Sequence, residues 1–104
     1  MAATLHLDPY IVDTLMPDLV GHDKSTSSFL VYLCLWKRAA ADLNTPVRMS
    51  HQALADATGL SRSAVQTALA NLWRRGLVSS KRATPTAVPQ HTVLRPWIRR
   101  GKPT

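Results

Sequence analysis

The stretch Thr58–Val78, TGLSRSAVQTALANLWRRGLV, decides how the chain is read. Gly59 offers the positive φ that ends one helix, and Ser61 is a natural cap for the next. From Ser61 the pattern predicts a helix to about Arg75, closed by Gly76 in the C′ position with Arg74 and Arg75 in its last turn. At about 100° per residue, Val65, Ala68, Leu69, Leu72 and Gly76 form one apolar stripe, with Trp73 at its edge. The opposite side gathers Ser63, Gln66, Thr67, Ala70 and Arg74, with Asn71 at one flank. A helix that only filled a core would carry mixed Glu and Lys outside. This face has hydrogen-bonding residues and no acid.

Upstream, Ser50 caps a short helix running through Ala57, with Ala53, Leu54 and Ala57 at helical spacing. Val47-Arg48-Met49 reads as a short extended piece after the helix-breaking Asn44-Thr45-Pro46. Downstream, Leu77–Lys81 and His91–Leu94 read as two strands, and the Pro-containing KRATPTAVPQ between them reads as a flexible tip. Two helices, a glycine turn and a hairpin predict an α+β, mostly α, winged helix-turn-helix with a two-stranded wing.

Farther out, Ser27 or Ser28 caps a helix expected over Ser28–Leu43. Its octet FLVYLCLW, Phe29–Trp36, also suits a strand, but KRAAADL continues in helical composition. A helix apolar nearly all round needs cover on several sides. The N-terminal segment Tyr10–Leu19, a partner subunit, or both supply it. Asp8-Pro9 looks like the start of an extra N-terminal helix that Pro17 ends or bends. The expected division is a helical extension over 1–27 suited to dimerisation, the winged helix over 28–98, and a flexible basic tail over 99–104.

Charge points to the partner. Residues 1–50 carry four basic residues against five Asp, a net of −1, whereas residues 51–104 carry nine against Asp56 alone, a net of +8. Such asymmetry is the footprint of a polyanion. If the second helix enters a major groove, Gln66 can pair with adenine and Arg62 with guanine or a phosphate. Ser61, Ser63, Thr67 and Arg74 can reach bases or backbone, and Lys81 and Arg82 on the wing add backbone or minor-groove contacts.

These residues also carry a resemblance. Ser61–Val78, SRSAVQTALANLWRRGLV, resembles the recognition-helix stretch of GntR-type transcription regulators. The likeness falls on Ser61-Arg62, Val65, Ala68-Leu69, Leu72 and Gly76-Leu77-Val78. LADATGLS, Leu54–Ser61, is similar to that family and to winged-helix regulators generally. The resemblance implies a DNA-binding winged helix with Arg62, Ser63 and Gln66 at contact positions. Gln66 stands where that family often has Arg.

Other chemistries find little support. Cys34 is the single cysteine, so no internal disulfide forms, and amid Leu33 and Leu35 it reads as an inert buried thiol. His6, His22, His51 and His91 lack zinc-site spacing, so no metal is expected. Six Asp, no Glu and four scattered glycines offer neither a carboxylate pair nor a phosphate-cradling loop. Trp36 and Trp73 read as core, and Trp97 either locks the hairpin to the core or marks a contact surface. MAATLHLDPY lacks a signal-peptide pattern and the longest apolar run is too short to span a bilayer. The expectation is a cytoplasmic protein with no membrane association, enzymatic activity, cofactor or inferable small-molecule ligand. It binds double-stranded DNA, as a homodimer, in transcription or in plasmid or phage replication or partition. A winged helix serving protein assembly is the alternative.

Overall fold

A computed structural model describes residues 3–39 and 42–98. In chain order these form two π-helical turns, Ile11–Leu15 and Pro17–His22, then α1 (Thr26–Arg38), β1 (Val47–Arg48), α2 (His51–Thr58), α3 (Arg62–Arg74), β2 (Val78–Lys81) and β3 (Gln90–Val93). This is the mostly helical winged helix-turn-helix expected, preceded by a further helical segment. The basic tail expected at 99–104 lies outside the described residues.

Local chemistry sets the helix ends. The Ser50 and Ser61 hydroxyls accept from the backbone N–H of Ala53 and Ala64, each at 3.0 Å, at the starts of α2 and α3. Gly59 closes α2 at φ +80°. After α3, Gly76 sits at φ +71°, Leu77 N–H donates to the Leu72 carbonyl at 2.9 Å, and Gly76 N–H donates to Trp73 at 3.0 Å. That pair of bonds is a Schellman closure, and it turns the chain directly into the wing.

Four local expectations are corrected. The cap of α1 is Ser25, whose hydroxyl accepts from Ser28 N–H at 3.3 Å; Ser28 itself is fully buried inside the helix. The helix ends at Arg38, short of Leu43. Pro17 does not end the N-terminal helix but opens its second π turn. A proline ring clashes with the carbonyl four residues back in an α-helix, and a wider turn relieves that clash. Asp8 does not cap this helix through its side chain. Its carboxylate accepts from Trp97 Nε1 at 3.1 Å and lies 3.5 Å from an Arg95 guanidinium nitrogen.

The sheet also gains a member. Val47–Arg48 pairs antiparallel with β3, Val47 opposite His91, so the wing's two strands belong to a three-stranded sheet in the order β1-β3-β2. Between the helices, α1 packs chiefly on α3. The core joins Ile11, Leu15 and Leu19 to Val31, Tyr32 and Leu35 of α1, to Val65, Ala68 and Leu72 of α3, and to Val78 and Val93 of the wing. Each fully buried aliphatic contributes about 1.5–3 kcal/mol. Intramolecular cover from the N-terminal segment thus answers the apolar excess of α1. Trp97 locks the end of the wing onto that segment, stacked on Tyr10 with ring centroids 4.5 Å apart.

Candidate nucleic-acid interface

With its apolar stripe fixed in the core, α3 has only its outer residues left to meet a ligand. Ser61, Arg62, Ser63, Gln66, Thr67 and Arg74 are all exposed, as are Lys81 and Arg82 on the wing. Gln66 and Ala70 form one wall of a cleft of about 350 Å³, and Lys81, Arg82 and Ser80 form the facing one. Trp73, Leu69, Pro89, His51 and His91 complete it. Arg62 lies on the same side of α3 as Gln66, four residues earlier, close enough for its charge to act on His51. The structure therefore brings Arg62, Gln66, Lys81 and Arg82 to one face, although they come from two elements. No carboxylate lines this cleft among the described residues.

Ser63 and Thr67 occupy the adjacent row of α3, one helical step round. Arg74 lies apart from the cleft. Its guanidinium donates to Asn71 Oδ1, on the flank of α3 that faces α1 and the N-terminal segment.

Two residues trade the places expected of them. Asn71, expected at the outer flank, is buried, and its amide donates to Asp23 Oδ2 and Ser28 Oγ, both at 3.1 Å. Trp73, expected in the core, is 67% exposed at the cleft, seven residues and nearly two full turns beyond Gln66. The sequence does carry that signal, because 62, 66, 70 and 73 share one helical face. The apolar character of Trp hid it.

Two histidines that their sequence spacing does not mark as site residues, His51 and His91, also line the cleft. His91 is buried, and its two ring nitrogens lie 2.7 Å from Ser80 Oγ and 3.0 Å from the Met49 carbonyl oxygen. Nε2 must donate to that carbonyl, so a neutral His91 accepts from Ser80 at Nδ1 and ties β2 to the end of β1. Its burial holds it below the usual imidazole range, helped by the charges of His51 and Arg82 and opposed by the Met49 bond. His51, first residue of α2, is also held low, by burial first and then by Arg82 and Arg62. In both, neighbouring positive charge adds to the larger effect of burial.

Behind α3, Asp18, His22 and Asp23 converge with their ligand-type atoms within 4.8 Å of one another. Asp18 is already engaged by the Arg75 guanidinium, while Asp23 takes Asn71 and lies 3.5 Å from Arg75 Nε. Desolvation would raise the Asp23 pKa, yet hydrogen bonds from His22 and Asn71 and the Arg75 charge hold it below the usual carboxylate value. This cluster fastens α3 to the N-terminal segment. Cys34 is half-buried and free. No helix of the described residues is long and apolar enough to cross a membrane.

Comparison with known families agrees with this geometry. The family model of the Crp-like helix-turn-helix domain matches residues 27–96, which include α1 from its second residue, α2, α3 and both wing strands. Of the likeness noted for Ser61–Val78, the match supports the helix-turn-helix and does not extend to the GntR type. No curated protein and no solved structure matches the chain.

Proposed function

The chain belongs to the family of Crp-like helix-turn-helix domains, a DNA-binding fold, and from that premise we propose that it is a sequence-specific transcription regulator reading duplex DNA with α3. In this reading α3 lies in the major groove and the wing reaches across the flanking backbone. Gln66 pairs with an adenine edge, and Arg62 takes a guanine or a phosphate. Ser61, Ser63 and Thr67 contact bases or backbone, Arg74 takes a phosphate at the far end of the helix, and Lys81 and Arg82 hold the strand beside the wing.

The observation that carries the reading is the cleft shared by Gln66, Lys81 and Arg82, with its excess of positive charge. A base-reading side chain and backbone-neutralising cations lie together without a competing acid. The protein acts by occupancy, without chemistry of its own. A second copy would provide the two-fold symmetry that lets such a domain bind paired half-sites. Exposed Val12, Met16 and Val20 on the N-terminal helix support that assembly.

The test is selection of bound sites from random duplexes at physiological salt, repeated with Gln66→Ala. The substitution should relax the preference at one base position and cost roughly 1–3 kcal/mol on the preferred site. Equal weakening on every sequence would refute base reading by Gln66. Light scattering on the same samples checks the dimer.

A further inference from the structure

We propose that His51 is a phosphate-binding residue, and that the cleft between α3 and the wing seats one phosphate of the DNA backbone among His51, Arg62 and Arg82. The inference rests on the duplex-binding reading above and adds to it a residue from outside the recognition helix.

Position is the first argument. If α3 occupies the major groove and the wing the neighbouring minor groove, the sugar-phosphate strand dividing the two grooves must pass between them. The space between them is this cleft. Its lining combines the cationic His51, Lys81 and Arg82 with the apolar Leu69, Ala70, Trp73 and Pro89. A strand that alternates anionic phosphate with the largely apolar face of a deoxyribose matches both kinds of lining. A free inorganic anion would use only the cationic residues.

Charge is the second argument. His51 faces Arg62 from α3, Lys81 and Arg82 from β2 and its margin, and neutral His91 from β3. On its own helix the nearest acid is Asp56, five residues on, which accepts from Gln52 at 2.9 Å. His51 also stands at the positive end of α2. Arg82 gives one donor to the Ala87 carbonyl at 2.9 Å, which fixes the wing tip and leaves its other N–H groups for a ligand. So many positive groups without a counter-charge make the cleft a standing anion site.

A proton reports on the occupant. In the free protein burial, and after it the charges of Arg82 and Arg62, favours the neutral imidazole. A phosphate beside it cancels the arginine charges and favours the imidazolium, which then donates to a phosphate oxygen. Binding takes up a proton, so affinity is greatest at low pH and declines as pH rises through the raised pKa of the complex.

The experiment measures Kd for a short mixed-sequence duplex against pH, at constant low ionic strength, because a backbone seat does not depend on base sequence. Affinity should weaken by up to about tenfold per pH unit around neutrality, the limit for one linked proton. His51→Gln should lose that dependence. Imidazole resonances in the intact wild-type protein give a second readout, and His51 should titrate at higher pH with duplex than without it. A pH dependence unchanged in H51Q, or a His51 titration unmoved by duplex, overturns the proposal. An equal shift with inorganic phosphate alone, or a larger one with a single strand than with duplex, also overturns it. Failure to bind duplex at any pH refutes the parent reading of DNA binding, whereas binding without proton uptake refutes this inference alone.

Discussion

Asn71→Ala separates what the helical pattern suggests from what the packing dictates. By pattern Asn71 is an exposed flank residue, and its removal should alter stability by no more than about 0.5 kcal/mol. In the structure its side chain is buried and joins three elements. It donates to Ser28 of α1 and to Asp23 of the N-terminal segment, each at 3.1 Å, and accepts from Arg74. The neutral bond to Ser28 is worth about 1 kcal/mol and the bond to the carboxylate about 1.5–3 kcal/mol. Neither partner is wholly orphaned, since Ser28 Oγ keeps Ser25 Oγ at 2.6 Å and Asp23 keeps Arg75 and His22. The expected loss is about 2–4 kcal/mol, a large share of the roughly 5–15 kcal/mol that holds such a domain together. Urea unfolding followed by tryptophan fluorescence measures it, as a lowered midpoint with an unchanged m-value. Asn71→Asp sharpens the test. The new carboxylate faces Asp23 and should destabilise more than alanine at neutral pH, with recovery as pH falls through the carboxylate range. A loss below about 1 kcal/mol for alanine, with aspartate equally mild, would refute the network as a source of stability.

Acid should weaken the fold through His91. Its folded-state pKa lies below the ordinary 6.5, so the unfolded chain takes the proton first. Stability is complete above that value and declines as pH falls towards the folded pKa, at up to about 1.4 kcal/mol per pH unit. A urea midpoint that stays flat below pH 6.5, or the same slope in His91→Gln, would remove the effect from this residue. Two glycine substitutions should diverge. Gly59→Ala meets no atom within 4 Å, so its cost is that of a left-handed backbone alone, about 1–2 kcal/mol. Gly21→Ala meets equally open space without a positive φ and should be neutral or stabilising by up to about 1 kcal/mol. Calorimetry of the pair checks both, and equal midpoints would refute the backbone argument.

What could be read from sequence is what neighbours along the chain determine. Ser50, Ser61, Gly59 and Gly76 act on backbone groups within a turn of themselves, so their roles show in the spacing. The stripe of Val65, Ala68 and Leu72 likewise needs only the helical period. The exchange of Asn71 and Trp73 does not show, because which flank of α3 is covered depends on Asp23 and Ser28, more than 40 residues away. A polar residue can be buried when such partners await it, and an aromatic can stay exposed when a wing stands off from it. The extended piece at Val47–Arg48 is legible in the sequence, but its place in the sheet is hidden for a different reason. Two residues carry no periodicity, and their strand character comes from β3, 42 or more residues later. His51 was hidden from sequence reading in the same way, since its importance depends on Arg82 arriving from the far side of the cleft.

The bond between Asp8 and Trp97 spans 89 residues, and Tyr32 reaches 62 residues to donate to the Leu94 carbonyl. The second ties α1 to the end of the wing, and the first fastens the segment that buries the back of α1. During synthesis, α2 and α3 can form as soon as they emerge, because their contacts are local. The N-terminal helix must wait, with Ile11, Leu15 and Leu19 searching for cover, until residue 97 has been added. A nascent chain halted just before Pro96 would therefore hold α1 and α3 without the cover of that segment. Protease sensitivity of residues 8–22 on stalled chains would drop at the point where Trp97 clears the ribosome.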